Sequence, residues 1–577
     1  MTHPILLSAY VAKRCARRAH NDYDPTLTSV EGVDPGASTM QRIEAGVEFE
    51  GRVRDLLRQT LGEACVDLTD VAWGQRSRAT ADAVAAGVPV ILGGAIPDDL
   101  VGRRRGLPDV LFRGPDRVDG SPGYLPGDIK HHRVLTASEH GRVACTAAAN
   151  PLPAAIRMVD GIVARTNYQF DDLAQLAHYY RMLQAADWVA SGPALAAVIG
   201  ADAAIDDTAA NPEAFAIWRD LDEPLFRTYS RTEGTQLRSA LQRYDHEFTF
   251  RLAVVDVAAQ AADSPAPTPL VRPVIIKECE SCPWYDYCLA EVGPDDASAN
   301  TLIYRLDTRE WLALDRIGVR TIDDLARLTL DDARLDSYWP EVTHQNRAEN
   351  RLNGAIERAR LRVAGQWFGR TTTGRIDVPR ADVEVDFDIE WDTDMGIYLW
   401  GFLVNDRVAQ SADQNQPCDW GPMTSEARIA IAKIAIDYLM ELAQRSEAKG
   451  KSLLIYHYSS VEISNVRALI DQMDSPELPT VEEWIEFTDR YFCDLLPIVK
   501  QNFIGVAGHG LKVIATKGAG FQWRDDDPGG LQSQDWLVDA RGDEPVIAAD
   551  ARRRLCEYNH DDVEATAAVR NWLSSLQ

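Results

Sequence analysis

The segment VEVDFDIEW (383–391) alternates strictly between apolar and acidic side chains. Successive side chains of a strand point to opposite faces. Val383, Val385, Phe387 and Ile389 therefore share one face, and Glu384, Asp386, Asp388 and Glu390 share the other. Four like charges on one strand face repel, so that face is either open to water or held by cations. A solvated edge strand meets the first condition. A metal site meets the second, because Asp388 and Glu390 in D-x-E can jointly ligate Mg2+ or Mn2+. An amphipathic helix follows at 425–446, its apolar residues recurring at three and four.

The rest of the chain predicts a multidomain α/β protein. A length of 577 residues suits two to four domains. An Ala/Pro-rich stretch at 258–269 reads as a loop, and a seam falls near 292–300. Between about 300 and 375 the pattern is helical. Three units are expected: 1–295, a small helical connector at 296–375, and 376–577. The formal net charge of −28 repels nucleic acid and anionic membranes on average. The first apolar run, Pro4 to Ala12, is too short to span a bilayer and has the wrong flanks for an export signal. No membrane partner is expected, and a cytoplasmic location is the default. GKS at 450–452 lacks the first glycine of a P-loop, since position 445 is Arg; it predicts a helix exit.

Cysteines and a second set of carboxylates mark the first half. Cys279, Cys282 and Cys288 form a C-x2-C-x5-C triplet, which points to a metal. Three thiolates are one short of the usual four, and the nearest candidate by type is Cys15, far upstream. Spacing does not decide between zinc and iron–sulfur. Cys65, Cys145, Cys418, Cys493 and Cys556 stand among apolar neighbours and are expected as buried small hydrophobes. The segment 106–134 predicts a β-hairpin or meander. Asp128 and Lys130 share one strand face, and Asp109 joins them from a neighbouring strand. A carboxylate pair can hold a hard divalent cation, with lysine stabilising charge on phosphate. Glu50, with Glu48 as fallback, is the further metal ligand expected from the helix around 45–53. Gln175 and Tyr179 lie four apart on one helical face.

That order of motifs resembles the RecB-like branch of the PD-(D/E)XK nucleases, specifically those with an iron staple such as AddB and the CRISPR-associated RecB-like nucleases. The resemblance implies a [4Fe–4S] cluster on Cys15, Cys279, Cys282 and Cys288. It implies Glu50, Asp109, Asp128 and Lys130 as the metal and catalytic set, with Gln175 and Tyr179 as the accessory motif near DNA. Several relatives carry His where Glu50 stands.

In the second half, 453–463 is an apolar strand ending in His457 and followed by Glu462. Near the C-terminus, Tyr558 and Asp562 project from one helical face at i,i+4. Asp494 is expected as scaffold first and as a peripheral site residue second. A D-x-E strand, a later acidic residue and a Y-x3-D helix resemble the RNase H-like 3′–5′ exonucleases of the DEDDy type. That likeness implies that Asp388, Glu390, Glu462 and Asp562 hold two metal ions and that Tyr558 orients the attacking water. Glu462 stands where Asp is usual. The stretch 510–530 is similar to a bacterial family of RecB-like nucleases carrying a C-terminal YprB-type ribonuclease H-like domain.

The helix–turn–helix at 314–333, broken at Gly318 with Thr321 as N-cap, resembles helix-hairpin-helix modules; a structural connector is the favoured role. Basic residues group beside the motifs: Arg14, Arg17 and Arg18; Arg103, Arg104 and Arg105; His131, His132 and Arg133. These clusters are expected to bind phosphates despite the bulk charge. The expectation is a metal-dependent nuclease using metal-activated water. DNA is the favoured substrate, single-stranded or with free ends, and a separate helicase is a candidate partner. The competing classes are a nucleic-acid-binding or assembly protein with one or both sites inactive, and an RNA-processing exonuclease.

Overall fold

A computed structural model describes all residues except 1–3, 31–36, 204–212, 264, 304, 393–395, 526–531 and 577. The chain packs as two compact units. The first comprises Met1–Pro294, Leu306–Gly318 and Asp331–Ala348; the second comprises Asp295–Arg305, Val319–Leu330 and Glu349–Gln577.

The first unit is built on an eight-stranded mixed sheet. Its strands are β1 (Cys65–Asp67), β2 (Val90–Leu92), β3 (Val110–Arg113), β4 (Tyr124–Lys130), β5 (Leu135–Thr146), β6 (Arg157–Ala164), β7 (Leu195–Gly200) and β8 (Ala216–Asp220), in the order β1-β2-β3-β4-β7-β8-β5-β6. β3 and β4 pair antiparallel, as the hairpin pattern predicts, and β4 runs parallel to β7. Helices α1 (Ala16–Tyr23), α2 (Ala37–Leu61), α3 (Trp73–Ala85), α4 (Gln169–Ala185), α5 (Ala240–Ala258) and α6 (Tyr285–Val292) complete the main body. α4 is buried along most of its length and lies on β4 and β7. α5 starts at a capping box in which Ser239 and Gln242 satisfy each other's backbone amides. A two-stranded ribbon, β9 (Phe226–Ser230) and β10 (Gly234–Arg238), precedes it.

The stretch expected as a connector is helical and is divided between the units. α7 (Ala297–Asn300) and α9 (Ile322–Arg327) belong to the second, and α8 (Thr308–Arg316) and α10 (Leu335–Tyr338) to the first; α11 (Ala348–Val363) enters the second. Gly318 has φ +78° just after α8, and Thr321 caps α9 through its side chain, as the sequence predicts.

The second unit centres on β12 (Val383–Trp391). Its other elements, with the small ribbon strand β11 (Phe368–Arg370), are β13 (Ile397–Asp406), β14 (Ser411–Asn415), α12 (Ser425–Ala448), β15 (Leu453–His457), α13 (Val461–Met473), α14 (Val481–Tyr491), β16 (Phe492–Asp494), α15 (Leu495–Asn502), β17 (Phe503–Gly505), α16 (Leu511–Ile514), α17 (Gln532–Arg541) and α18 (Pro545–Ser575). The sheet order is β14-β13-β12-β15-β16, with β12, β15 and β16 mutually parallel and the other pairings antiparallel. The solvated-edge reading of 383–391 is corrected here: β12 pairs on both sides and is covered on both faces. Its apolar face packs on α12 side chains such as Ala432 and Ile436. Its acidic face lies under α18. After α12, Lys449 and Gly450 (φ +66°) form the expected helix exit. Asp494 is scaffold: its carboxylate accepts from the Leu496 and Ser459 amides.

The five remaining cysteines correct a second expectation. Cys145 alone among them is buried; Cys65, Cys493 and Cys556 are half-buried and Cys418 is exposed. Cys418 follows β14 on an outer loop, bridged to Leu399, where apolar neighbours in sequence do not become a core in space.

Candidate active sites

In the second unit the site is assembled by β12 and α18. Asp388, Glu390 and Asp562 each offer a carboxylate oxygen, and these oxygens lie within 4.8 Å of one another. Among the described residues this is the one such group of three candidate metal ligands. Burial comes first in raising all three carboxyls; the Asp562 charge adds to it at Asp388 and Glu390, which go well above the usual range, while Asp562, relieved by Lys512 and by hydrogen bonds from Trp523 and Tyr558, is pushed up to about 6. Glu462, in the first turn of α13, adds its charge to that on Asp388. It stands outside the tight group, with His457 Nδ1 3.7 Å from its Oε2. That oxygen is buried and has no hydrogen-bond donor. Three crowded carboxylates and an orphaned fourth oxygen fit divalent cations, which would supply the missing positive charge.

The shell around these acids was largely invisible to sequence reasoning. Asn559 Nδ2 donates to Asp388 Oδ2 at 2.9 Å, and Gln416 Nε2 donates to Asn559 Oδ1 at 3.2 Å. The contact needs a glycine on β13. Gly401 is in register with Asp388, and a Cβ there would sit 2.1 Å from Asn559 Oδ1. Trp523 Nε1 donates to Asp562 Oδ1 at 2.8 Å. Lys512 Nζ donates to Tyr558 OH at 2.7 Å. The Tyr558 phenol is raised by burial and by Asp562, Glu390 and Asp388, so it is held protonated among anions. Lys512 and Trp523 fall in the stretch 510–530 noted for its family likeness; residues 526–530 of that stretch lie outside the described residues. Asn559, beside Tyr558 and three before Asp562, could have been found from helical spacing alone.

The other half of the acidic face has a different fate. Arg570 of α18 pairs with both Glu384 and Asp386, and Arg380 holds Glu384 at 2.6 Å. Period two groups the four acids; it does not tell which pair receives arginine.

In the first unit, Asp109 sits immediately before β3, and Asp128 and Lys130 lie on β4. Asp109 Oδ2 accepts from the Ile129 amide at 2.7 Å. Burial, and then the Asp128 carboxylate beside it, raise the Asp109 carboxyl well above the ordinary range. Lys130 forms an ion pair with Asp128; burial opposes its charge, yet the two aspartates outweigh that and raise its ammonium. Gln175 Nε2 donates to Asp128 Oδ1 and to Tyr179 OH, each at 3.2 Å. Its Oε1 accepts from Lys130 Nζ at 3.2 Å and from Lys13 Nζ at 2.7 Å. Every capacity of that amide is used, which fixes its orientation. Gly106 gives Tyr179 its place, since a Cβ at 106 would meet the ring at 2.6 Å. Lys13 was missed from sequence; burial and then Lys130 lower its ammonium to about 8. Glu50 lies half-buried on α2, and its carboxylate is 3.9 Å from Arg54 Nη1. Glu48 is exposed. Neither shows a bond to Asp109 or Asp128 among the described residues.

Most of the expected phosphate-binding clusters are otherwise engaged. Arg103, Arg104 and Arg105 pair with Asp256, Asp99 and Asp98 at 2.7–2.8 Å. Arg17 pairs with Glu291, and His132 with Asp172 at 2.9 Å. In a chain rich in Asp and Glu, adjacent arginines find carboxylates first.

Cys15, Cys279, Cys282 and Cys288 line one cavity together with Arg17, Arg18 and Trp284. Burial raises all four thiols, Cys279 to about 11 and Cys288 to about 12. Asn21 Nδ2 donates to Cys288 Sγ at 3.6 Å and the Ile276 amide to Cys279 Sγ at 3.4 Å.

A family model described as the RNase_H superfamily matches residues 385–574. The C-terminal part of the chain is thus RNase H-like, and the match spans both β12 and α18. No curated protein and no solved structure matches the chain.

Proposed function

We propose that this protein is a metal-dependent nuclease that hydrolyses phosphodiester bonds of nucleic acid. The observation that carries the reading is the group of half-buried Asp388 with buried Glu390 and Asp562 inside the RNase H-like segment. In that site Asp388, Glu390, Glu462 and Asp562 would hold Mg2+ or Mn2+. Such ions supply a nucleophilic water at neutral pH and neutralise charge on the phosphate. Tyr558, kept protonated, can donate to or orient a water beside Asp562, and Lys512 fixes its hydroxyl. Asn559 fixes the rotamer of Asp388.

The first unit is proposed as a second hydrolytic site of the PD-(D/E)XK kind, with Asp109 and Asp128 as cation ligands and Lys130 beside the phosphate. Gln175 aligns Lys130 and Asp128, and Tyr179 supports Gln175. Glu50 takes part through a rotamer or a water. The carboxylate pair and its lysine share one hydrogen-bonded network, which supports this reading. The four cysteines are proposed as the ligands of a [4Fe–4S] cluster. The four cysteines line one cavity, which supports their ligating a single shared group.

Single-stranded DNA or DNA with free ends is the proposed substrate. The test uses Asp128→Asn and Asp388→Asn separately, with labelled single- and double-stranded DNA and RNA and Mg2+ or Mn2+. Each change is expected to lower cleavage by its own site about 100-fold or more. Unchanged cleavage in both variants refutes the site assignment, and cleavage of RNA alone replaces the substrate. Anaerobically purified protein should be brown, with absorbance near roughly 400 nm; a colourless protein with one zinc overturns the cluster.

A further inference from the structure

We propose that Lys13 contacts the substrate phosphate in the first carboxylate site. The inference rests on the reading of that site as a nuclease centre. Lys13 Nζ donates to Gln175 Oε1 at 2.7 Å and lies 4.7 Å from the centre of the Tyr10 ring. No carboxylate lies within ion-pair distance of it among the described residues, in contrast to Lys130, which is neutralised by Asp128. An ammonium group has three donors, and one of these is spent on Gln175. Asp128, Asp171 and Asp172 act on Lys13 only from beyond ion-pair distance, and a half-buried cation with no direct ion pair is costly; an anion arriving at the site offsets that cost. The neighbouring arginines cannot serve in the same way, because Arg103, Arg104 and Arg105 are already paired.

The backbone that carries Lys13 is fixed from two sides. The Arg14 carbonyl accepts from Arg251 Nη2 at 2.9 Å and Nε at 3.3 Å. The Cys15 amide donates to the Glu278 carboxylate at 3.0 and 3.1 Å. Both clamps act within two residues of Lys13, so its ammonium is presented from a held segment. Two ammonium groups then converge on one amide oxygen beside Asp109 and Asp128. With cations on the carboxylates, Lys130 is freed of part of its pairing, and Lys13 remains available for a non-bridging phosphate oxygen.

The test compares full-length wild type, Lys13→Met and Lys13→Arg. Binding of a labelled single-stranded DNA oligonucleotide is measured against KCl concentration, with Ca2+ in place of Mg2+. Loss of one phosphate contact should reduce the slope of log K against log salt by about 0.7, and K13M should bind more weakly. K13R keeps the charge and should restore the slope. A merely structural role would change Tm without this charge-specific rescue. A K13M protein with wild-type slope and affinity overturns the proposal, as does a K13R protein that behaves like K13M. Asp128→Asn judges the underlying reading separately by cleavage, measured in an Asp388→Asn background so that the second unit's site does not cut in its place. If it leaves cleavage intact while K13M still lowers the slope, the hydrolytic reading of the site fails and Lys13 stands as a nucleic-acid contact.

Discussion

Asp562 shows how a single carboxyl reports on its site. Its folded pKa of about 6 lies above the ordinary value of about 3.9 for an unfolded chain. The folded state therefore binds the proton more tightly, and the stability from this group is full below about pH 4 and lost as pH rises through 6. Asp388 and Glu390 are shifted in the same direction. A divalent cation replaces the missing protons, so Mn2+ should raise Tm more at pH 7.5 than at pH 5; equal shifts at both would count against the metal site. A second residue-scale expectation concerns Cys418. The Cys556 thiol beside it lowers the Cys418 thiol to about 7. Alkylation by iodoacetamide should therefore be fastest at Cys418 and half-maximal near pH 7, an effect that Cys556→Ala should abolish. None of this was legible in sequence, because the two cysteines meet through packing between α18 and the loop after β14.

At the scale of elements, α18 against β12 and β13 decides the second site. Gly401 leaves room for Asn559 to reach Asp388. Gly401→Ala should cost about 1–3 kcal/mol by overpacking. Asn559→Ala opens the same contact without a clash and should weaken metal affinity about 10–100-fold with little change in Tm. A metal titration followed by calorimetry separates the two effects. Further along α18, the Arg570 side chain is 2% exposed and pairs with Glu384 and Asp386, 2% and 0% exposed. Arg570→Met strands the buried Asp386 and leaves Glu384 to Arg380, and should cost about 3–5 kcal/mol in urea unfolding. Period two told which acids share a face, and helical spacing paired Tyr558 with Asp562. The division of the face into an arginine half and a carboxylate half depends on where α18 crosses the sheet. That crossing is a tertiary fact with no local signature.

For the whole molecule the governing quantity is the net charge of −28. On average it opposes nucleic acid, and the structure removes the simplest escape from that conclusion. The arginine clusters that sequence reasoning offered as phosphate sites are in large part paired with Asp and Glu. Adjacent Arg letters in a sequence do not show where their carboxylate partners will come from. Beside the first carboxylate pair Lys130 is already paired with Asp128, whereas Lys13 has no ion pair among the described residues, and each acidic site becomes less negative as cations enter it. Binding should then depend on divalent ions far more than binding by an ordinary basic surface does. With EDTA at physiological salt, affinity for single-stranded DNA should be no better than non-specific, roughly 10⁻⁴ M, and Ca2+ should tighten it at least tenfold. Mono-valent salt at matched ionic strength should not, because screening weakens repulsion without bridging carboxylate to phosphate. Tight binding in EDTA would point instead to a metal-independent surface and would remove the carboxylate sites from recognition. The same titration on Asp388→Asn and Asp128→Asn assigns the ion-dependent part to one site or the other, since each variant should lose only the share its own cations supply.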